Sequence, residues 1–229
     1  MASHTPWRKA PLQEAVFEIR FPPMSDYAIF VGGMAASLRG KFPIVEKLET
    51  AELPEFMQIQ GLVRHRFSSK DKSVLFQTGS DVVSVNAVSY SGFDSFSKAI
   101  QDILVAAKEF ISKEEIVRLG IRYINRFDEV SKISSVLKVE TPFPDMEDHK
   151  TKEVLLRYVK QEDEDITTTI NVSLNSKDKT LFLDIDAFYD SPQMGWNVDS
   201  ILAWSSKAHG FVYDDFERLV SLSQKKERQ

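Results

Sequence analysis

The sequence predicts an α+β fold: antiparallel sheet with helices packed on one face, in an order that suggests two related α+β halves. Three observations carry this reading. Short segments alternate apolar and polar residues with period two, as in Phe17-Glu18-Ile19-Arg20-Phe21. The strand-like segments between residues 56 and 88 follow one another too closely for crossover helices, so they are expected to pair antiparallel. A helical period then runs over 94–111, with Phe96, Ile100, Ile103, Leu104, Ala107 and Ile111 along one side.

Residues 15–21 form the first expected strand, closed by Pro22-Pro23. Ser25 is placed to cap the helix that follows, with Asp26 in its first turn and Tyr27, Val31, Met34 and Leu38 as its apolar stripe. Gly32 and Gly33 inside that helix cost roughly 1 kcal/mol each relative to Ala. Close packing against a neighbour is the expected reason for them. Strands are then expected over 56–60, 62–67, 73–78 and 82–88, divided by Gly61, by residues 68–72 and by Gly79-Ser80-Asp81.

After the 94–111 helix, a strand is expected over 116–127. Pro142, Pro144 and several acids break the pattern over 128–150, a connection with a short helix near 131–137. Strands over 153–160, 167–174 and 181–187 lead to two terminal helices. The first, 198–208, is expected to stop at His209-Gly210, and the second spans 214–224 with Lys225, Lys226 and Arg228 beyond its last turn. The chain thus divides into a half at 1–127, a connection at 128–150 and a second half at 151–229, expected to fold as one compact unit.

Composition narrows the function classes. At 229 residues the chain is long enough to bury a core without staples. It contains no cysteine, which removes a disulfide framework, a thiolate nucleophile and any Cys-ligated zinc or iron–sulfur site. No apolar run follows Arg8 and Lys9 as a signal peptide requires, and none approaches the roughly 20 residues that span a bilayer. The expected address is the cytoplasm, with no membrane contact. The net charge of −5 is divided unevenly, roughly +2 over 1–127 and roughly −7 over 128–229. Nucleic acid is not indicated as a partner.

The candidate site rests on charged residues two apart. Glu18 and Arg20, Arg64 and Arg66, and Asp184 and Asp186 each lie on one face of an extended segment, and Arg118 and Arg122 share a face four apart. The bland account is a solvated sheet face laced with cross-strand ion pairs. The functional account makes the same residues, with Asn125 and Arg126, a surface that binds a ligand or partner. No catalytic residue, metal or cofactor is expected. In the competing account Asp184 and Asp186 hold Mg²⁺, while Arg64, Arg66 and Arg122 clamp a phosphate-containing small molecule or nucleic acid.

The histidines are scattered at 4, 65, 149 and 209 and form no ligand-spaced cluster. His65 is expected to be a buried, hydrogen-bonded imidazole, and His209 a helix-end contact. Glu162-Asp163-Glu164-Asp165 is expected to be a solvated hairpin tip. No nucleophile elbow, phosphate loop or dinucleotide fingerprint is present.

Three segments resemble, in order and spacing, a sporadically distributed bacterial family of uncharacterised proteins of similar length. They are the opening Ala10-Pro11-Leu12-Gln13-Glu14-Ala15-Val16-Phe17-Glu18-Ile19-Arg20, the segment Arg118-Leu119-Gly120-Ile121-Arg122-Tyr123-Ile124-Asn125-Arg126, and Leu183-Asp184-Ile185-Asp186. The resemblance spans essentially the whole chain and supplies no activity, cofactor or catalytic residue. The family's patchy distribution implies mobile genes, hence roles in host–phage conflict or toxin control. Triphosphate-tunnel enzymes also alternate charges on antiparallel strands, but Val16 stands where their first strand carries an acid. The expectation is a bacterial, non-enzymatic binding or accessory protein that engages a protein partner or associates with itself.

Overall fold

The computed structural model describes residues 11–53, 59–111, 115–139, 152–192 and 194–221. Within them lie nine strands in one sheet and three helices. The strands are β1 (Leu12–Arg20), β2 (Ile44–Lys47), β3 (His65–Ser68), β4 (Val74–Thr78), β5 (Val82–Ala87), β6 (Arg118–Phe127), β7 (Glu153–Asp163), β8 (Ile166–Asn175) and β9 (Thr180–Asp190). The helices are α1 (Tyr27–Leu38), α2 (Phe93–Ile111) and α3 (Val198–Leu219).

Every neighbouring pair is antiparallel, in the order β2-β3-β4-β5-β1-β6-β9-β8-β7. The sheet is open, with β2 and β7 at its edges. One plan repeats, over a half that runs β1–α2 and a half that runs β6–α3, so β6 opens the second half although it ends the 1–127 segment. A first strand (β1 or β6) leads through a connection into a meander whose last strand (β5 or β9) returns beside it, and a helix follows (α2 or α3). β1 and β6 meet at the centre and join the halves through the register Glu18↔Gly120 and Arg20↔Arg118.

Side-chain alternation sorts the sheet into two faces. Phe17, Ile19, Val83, Val85, Leu119, Ile121, Leu183 and Ile185 turn to the helices and are buried. All six residues expected along α2 are buried. α1 packs through Phe30, Met34 and Leu38: the expected Met34 and Leu38 are buried, Tyr27 and Val31 pack partly buried against the core, and the unexpected Phe30 is fully buried. Its start also differs: Asp26 is the N-cap position and makes no side-chain cap bond. The glycine pair splits in meaning. A Cβ at Gly33 would stand 2.1 Å from the Phe110 ring of α2, whereas one at Gly32 would meet nothing. Close packing therefore explains Gly33 alone.

Further differences are local. β2 is a short strand not anticipated, held by β3 through Val45↔Phe67. The strand expected over 56–60 falls largely outside the described residues, and Ile59 and Gln60 lie in a turn. The short helix near 131–137 is a single 3-10 turn, Ile133–Ser135. The two expected terminal helices are one, because α3 runs unbroken through His209-Gly210. A stop signal is only local, and here tertiary contacts on both sides of it prevail: Ala208 and Val212 are buried, and His209 stacks on Phe93 with centroids 4.0 Å apart. Asn197 caps the helix by accepting from Ser200 N at 2.9 Å. Lys225, Lys226, Arg228, His4 and His149 lie outside the described residues. Among the described residues no helix is long and apolar enough to cross a membrane.

Candidate functional site

The face turned away from the helices carries a ladder of charges centred on β6 and β9. β6 presents Arg118, Gly120, Arg122, Ile124 and Arg126 there, and β9 presents Phe182, Asp184, Asp186, Phe188 and Asp190. Register places Arg122 beside Asp186 and Arg118 beside Asp190. The long arginines also reach diagonally. Arg122 donates to both carboxylate oxygens of Asp184, from Nε at 2.7 Å and from a terminal nitrogen at 2.8 Å. This is the bidentate geometry that makes guanidinium–carboxylate pairs directional. Arg118 donates to Asp190 at 2.6 Å and to Asp186 at 3.2 Å while lying over the Phe188 ring at 4.0 Å.

The ladder extends to both sides. On β8, Asn171 donates to Asp184 at 3.2 Å. On β1, Arg20 Nε donates to Glu18 at 2.6 Å, and Asn86 of β5 donates to Glu14 at 2.7 Å. Arg126 donates to Asp128 at 2.8 Å. Gly120 sits in the middle, opposite Glu18 and Phe188, and the nearest atom to a Cβ there would be Asp186 Oδ1 at 3.8 Å.

Environment tunes these groups. Burial raises the Asp186 carboxyl above the ordinary aspartate value, against the pull of Arg118 and Arg122. The hydrogen bond to Asp184 raises Arg122 further, against its own partial burial. Arg122 nevertheless keeps 48% of its side chain exposed. Its charge is held by the protein and still presented to the surroundings.

Of the expected site residues, Glu18, Arg20, Arg118, Arg122, Arg126, Asp184 and Asp186 meet on this one surface. Three others do not join it. Asn125 has the opposite phase on β6 and is only 3% exposed on the helix-covered side, donating to Leu183 O. Arg66 lies on the open face beside Glu46, but β4, β5 and β1 stand between β3 and β6. Arg64 precedes β3, and its guanidinium lies 5.6 Å from the centroid of the Tyr27 ring. The arginines therefore do not converge on a single anion. Among the described residues, no group of three or more His, Asp or Glu side chains is placed to hold a metal ion.

Phe188, Asp190 and Asn171 belong to the surface and escaped the sequence reading. Continuing the Asp184–Asp186 alternation forward reaches Phe188 and Asp190, whereas Asn171 follows only from the β8–β9 register. The remaining polar candidates are structural. His65 accepts or donates at Nδ1 with the Tyr27 hydroxyl at 2.9 Å, and burial lowers its pKa. His209 makes the same kind of contact with Tyr123 at 2.9 Å and does not sit at a helix end. The acidic β7–β8 tip is tied to α3. Lys207 pairs with Asp163 at 2.6 Å and Asp165 at 2.7 Å, and Trp204 donates to Asp165 O at 3.2 Å.

These features define an α+β protein with three helices over one face of an open antiparallel sheet and an ion-pair ladder on the other. Comparison with models of known families, with curated proteins and with solved structures finds no match.

Proposed function

We propose that the chain is a non-enzymatic binding protein that docks a protein partner on the open face of β6 and β9. One observation carries the reading: the ladder's arginines are pre-aligned by carboxylates yet remain accessible, with Arg122 as the clearest case. Interleaved Ile124, Phe182 and Phe188 add the apolar and aromatic surface that interface cores favour beside arginine. Held side chains lose little conformational entropy on docking. The family resemblance adds a setting, a bacterial mobile or defence-type locus, and the partner then belongs to that locus.

A charge swap tests the reading. Arg122→Asp with Asp184→Arg keeps an internal ion pair but exchanges the charges a partner meets. Co-purification of the tagged chain with the product of an adjacent gene is expected for the wild type and lost for the swap, at an unchanged thermal midpoint. Retention by the swap places the partner elsewhere. Calorimetry with Mg²⁺ and a nucleotide panel addresses the enzymatic alternative: metal-dependent binding abolished by Asp184→Asn would overturn the non-enzymatic reading.

A further inference from the structure

The two edges of the sheet are unequal. β2 is four residues long, follows Pro43 and runs into a 3-10 turn at Glu49–Glu52. Short edges flanked by such features resist further pairing. β7 is eleven residues long and, among the described residues, is hydrogen-bonded within the sheet only to β8. The bond from Ser176 N to Lys152 O, 3.1 Å, sets its phase. Even-numbered residues turn their backbone groups to β8, and Glu153, Leu155, Arg157 and Val159 turn theirs outward.

Among the described residues, β7 exposes apolar side chains between the charges of Glu153 and Arg157. Leu155, Tyr158 and Val159 are 69%, 59% and 51% exposed. Lys160 does not guard the edge, because it is turned back to Asp215 of α3 at 2.7 Å and to Glu162 at 2.5 Å. A bulge between Gln161 and Asp163 confines the regular ladder to the residues before it. Glu153 and Arg157 make no ion pair among the described residues, unlike the charges of the central ladder.

We propose that β7 pairs antiparallel with β7 of a second copy of this chain, about a two-fold axis at Leu155. A perpendicular two-fold matches residues of the same phase, so a few registers compete. With Arg157 on the axis, two arginines oppose each other. With Tyr158 there, Glu153 meets Asp163. With Leu156 there, Glu153 faces Val159 and Arg157 faces Leu155. Only with Leu155 on the axis does Glu153 face Arg157 of the other copy, twice, while Val154 faces Leu156 on the opposite side. The outward phase of Glu153, Leu155 and Arg157 lets all three exchange backbone hydrogen bonds in this register. The sheets of the two copies become continuous, and the β6–β9 ladder stays free.

Sedimentation of the purified full-length chain tests this. A species of twice the 26.1 kDa chain mass is expected, shifted by Leu155→Lys to a monomer that still unfolds cooperatively. Arg157→Glu is expected to weaken the dimer at least tenfold, and the further change Glu153→Arg to restore it. Because the chain has no cysteine, Leu155→Cys supplies a single thiol that a short bis-maleimide should link to its symmetry mate, whereas Val105→Cys on α2 should not link. A monomer at every concentration overturns the proposal, as does a dimer indifferent to Leu155→Lys. Open-ended oligomers would do the same, by pointing to β7 on β2 of the next copy.

Discussion

The first half fills the core beneath its strands with phenylalanine, and the second carries the bidentate ion-pair ladder on its open face. Among the largest fully buried side chains of the first half are Phe17, Phe21, Phe30, Phe67 and Phe76. The corresponding core of the second meander is aliphatic, with Ile166, Ile170, Leu174, Leu181, Leu183 and Ile185. On the open face the order reverses. The bidentate and stacked arginine pairs belong to β6 and β9, and the longest strands lie in the second half. The same strand–meander–helix plan thus serves as an aromatic anchor in one half and as a presenting surface in the other.

The comparison breaks most visibly at the core. Phe17→Ala should cost about 3–5 kcal/mol in urea unfolding, against about 0.5–1.5 for Ile185→Val. A Phe17→Ala loss below about 2 kcal/mol would mean that the first half is no anchor. The glycine pair sharpens the same point within α1. Gly33→Ala should destabilise by about 1–3 kcal/mol, because the new methyl displaces the Phe110 ring. Gly32→Ala should be neutral or stabilise by up to about 1 kcal/mol.

A smaller effect is expected from pH. Burial raises Asp186 above its ordinary value, and burial likewise raises Asp215 against Lys160. A carboxyl raised in the folded state contributes stability that is complete below the unfolded pKa and lost as pH rises through the folded one. The thermal midpoint should therefore carry a stabilising contribution on acidification just above the ordinary carboxylate range, and Asp186→Asn should remove its share. Parallel wild-type and variant profiles would contradict this. The smallest effect belongs to Lys207→Ala at the β7–β8 tip, where solvent screens the exposed pairs with Asp163 and Asp165, read by the same unfolding assay.

Legibility in the sequence followed the strength of local pattern. α2 was readable residue by residue because its polar and apolar sides differ sharply. α1 was not, because Tyr27 to Leu38 is apolar nearly all round and packing alone selects Phe30 over Val31. Period two sufficed to put Asp184 with Asp186 and Arg118 with Arg122. Their meeting depends on β9 returning beside β6, a long-range pairing that no local signal encodes. Asn125 was misplaced for a related reason: its polarity suggested the open face, but strand phase governs, and its amide is satisfied by Leu183 O on the covered side.

A double-mutant cycle on Arg122 and Asp184 tests most directly whether this ladder serves presentation or stability. Arg122→Ala, Asp184→Ala and the double variant, unfolded in urea, should give a coupling of about 1 kcal/mol or less, because water screens the half-exposed Arg122 even though Asp184 beneath it is mostly buried. A coupling of about 3 kcal/mol or more would make the pair a structural staple and contradict the account.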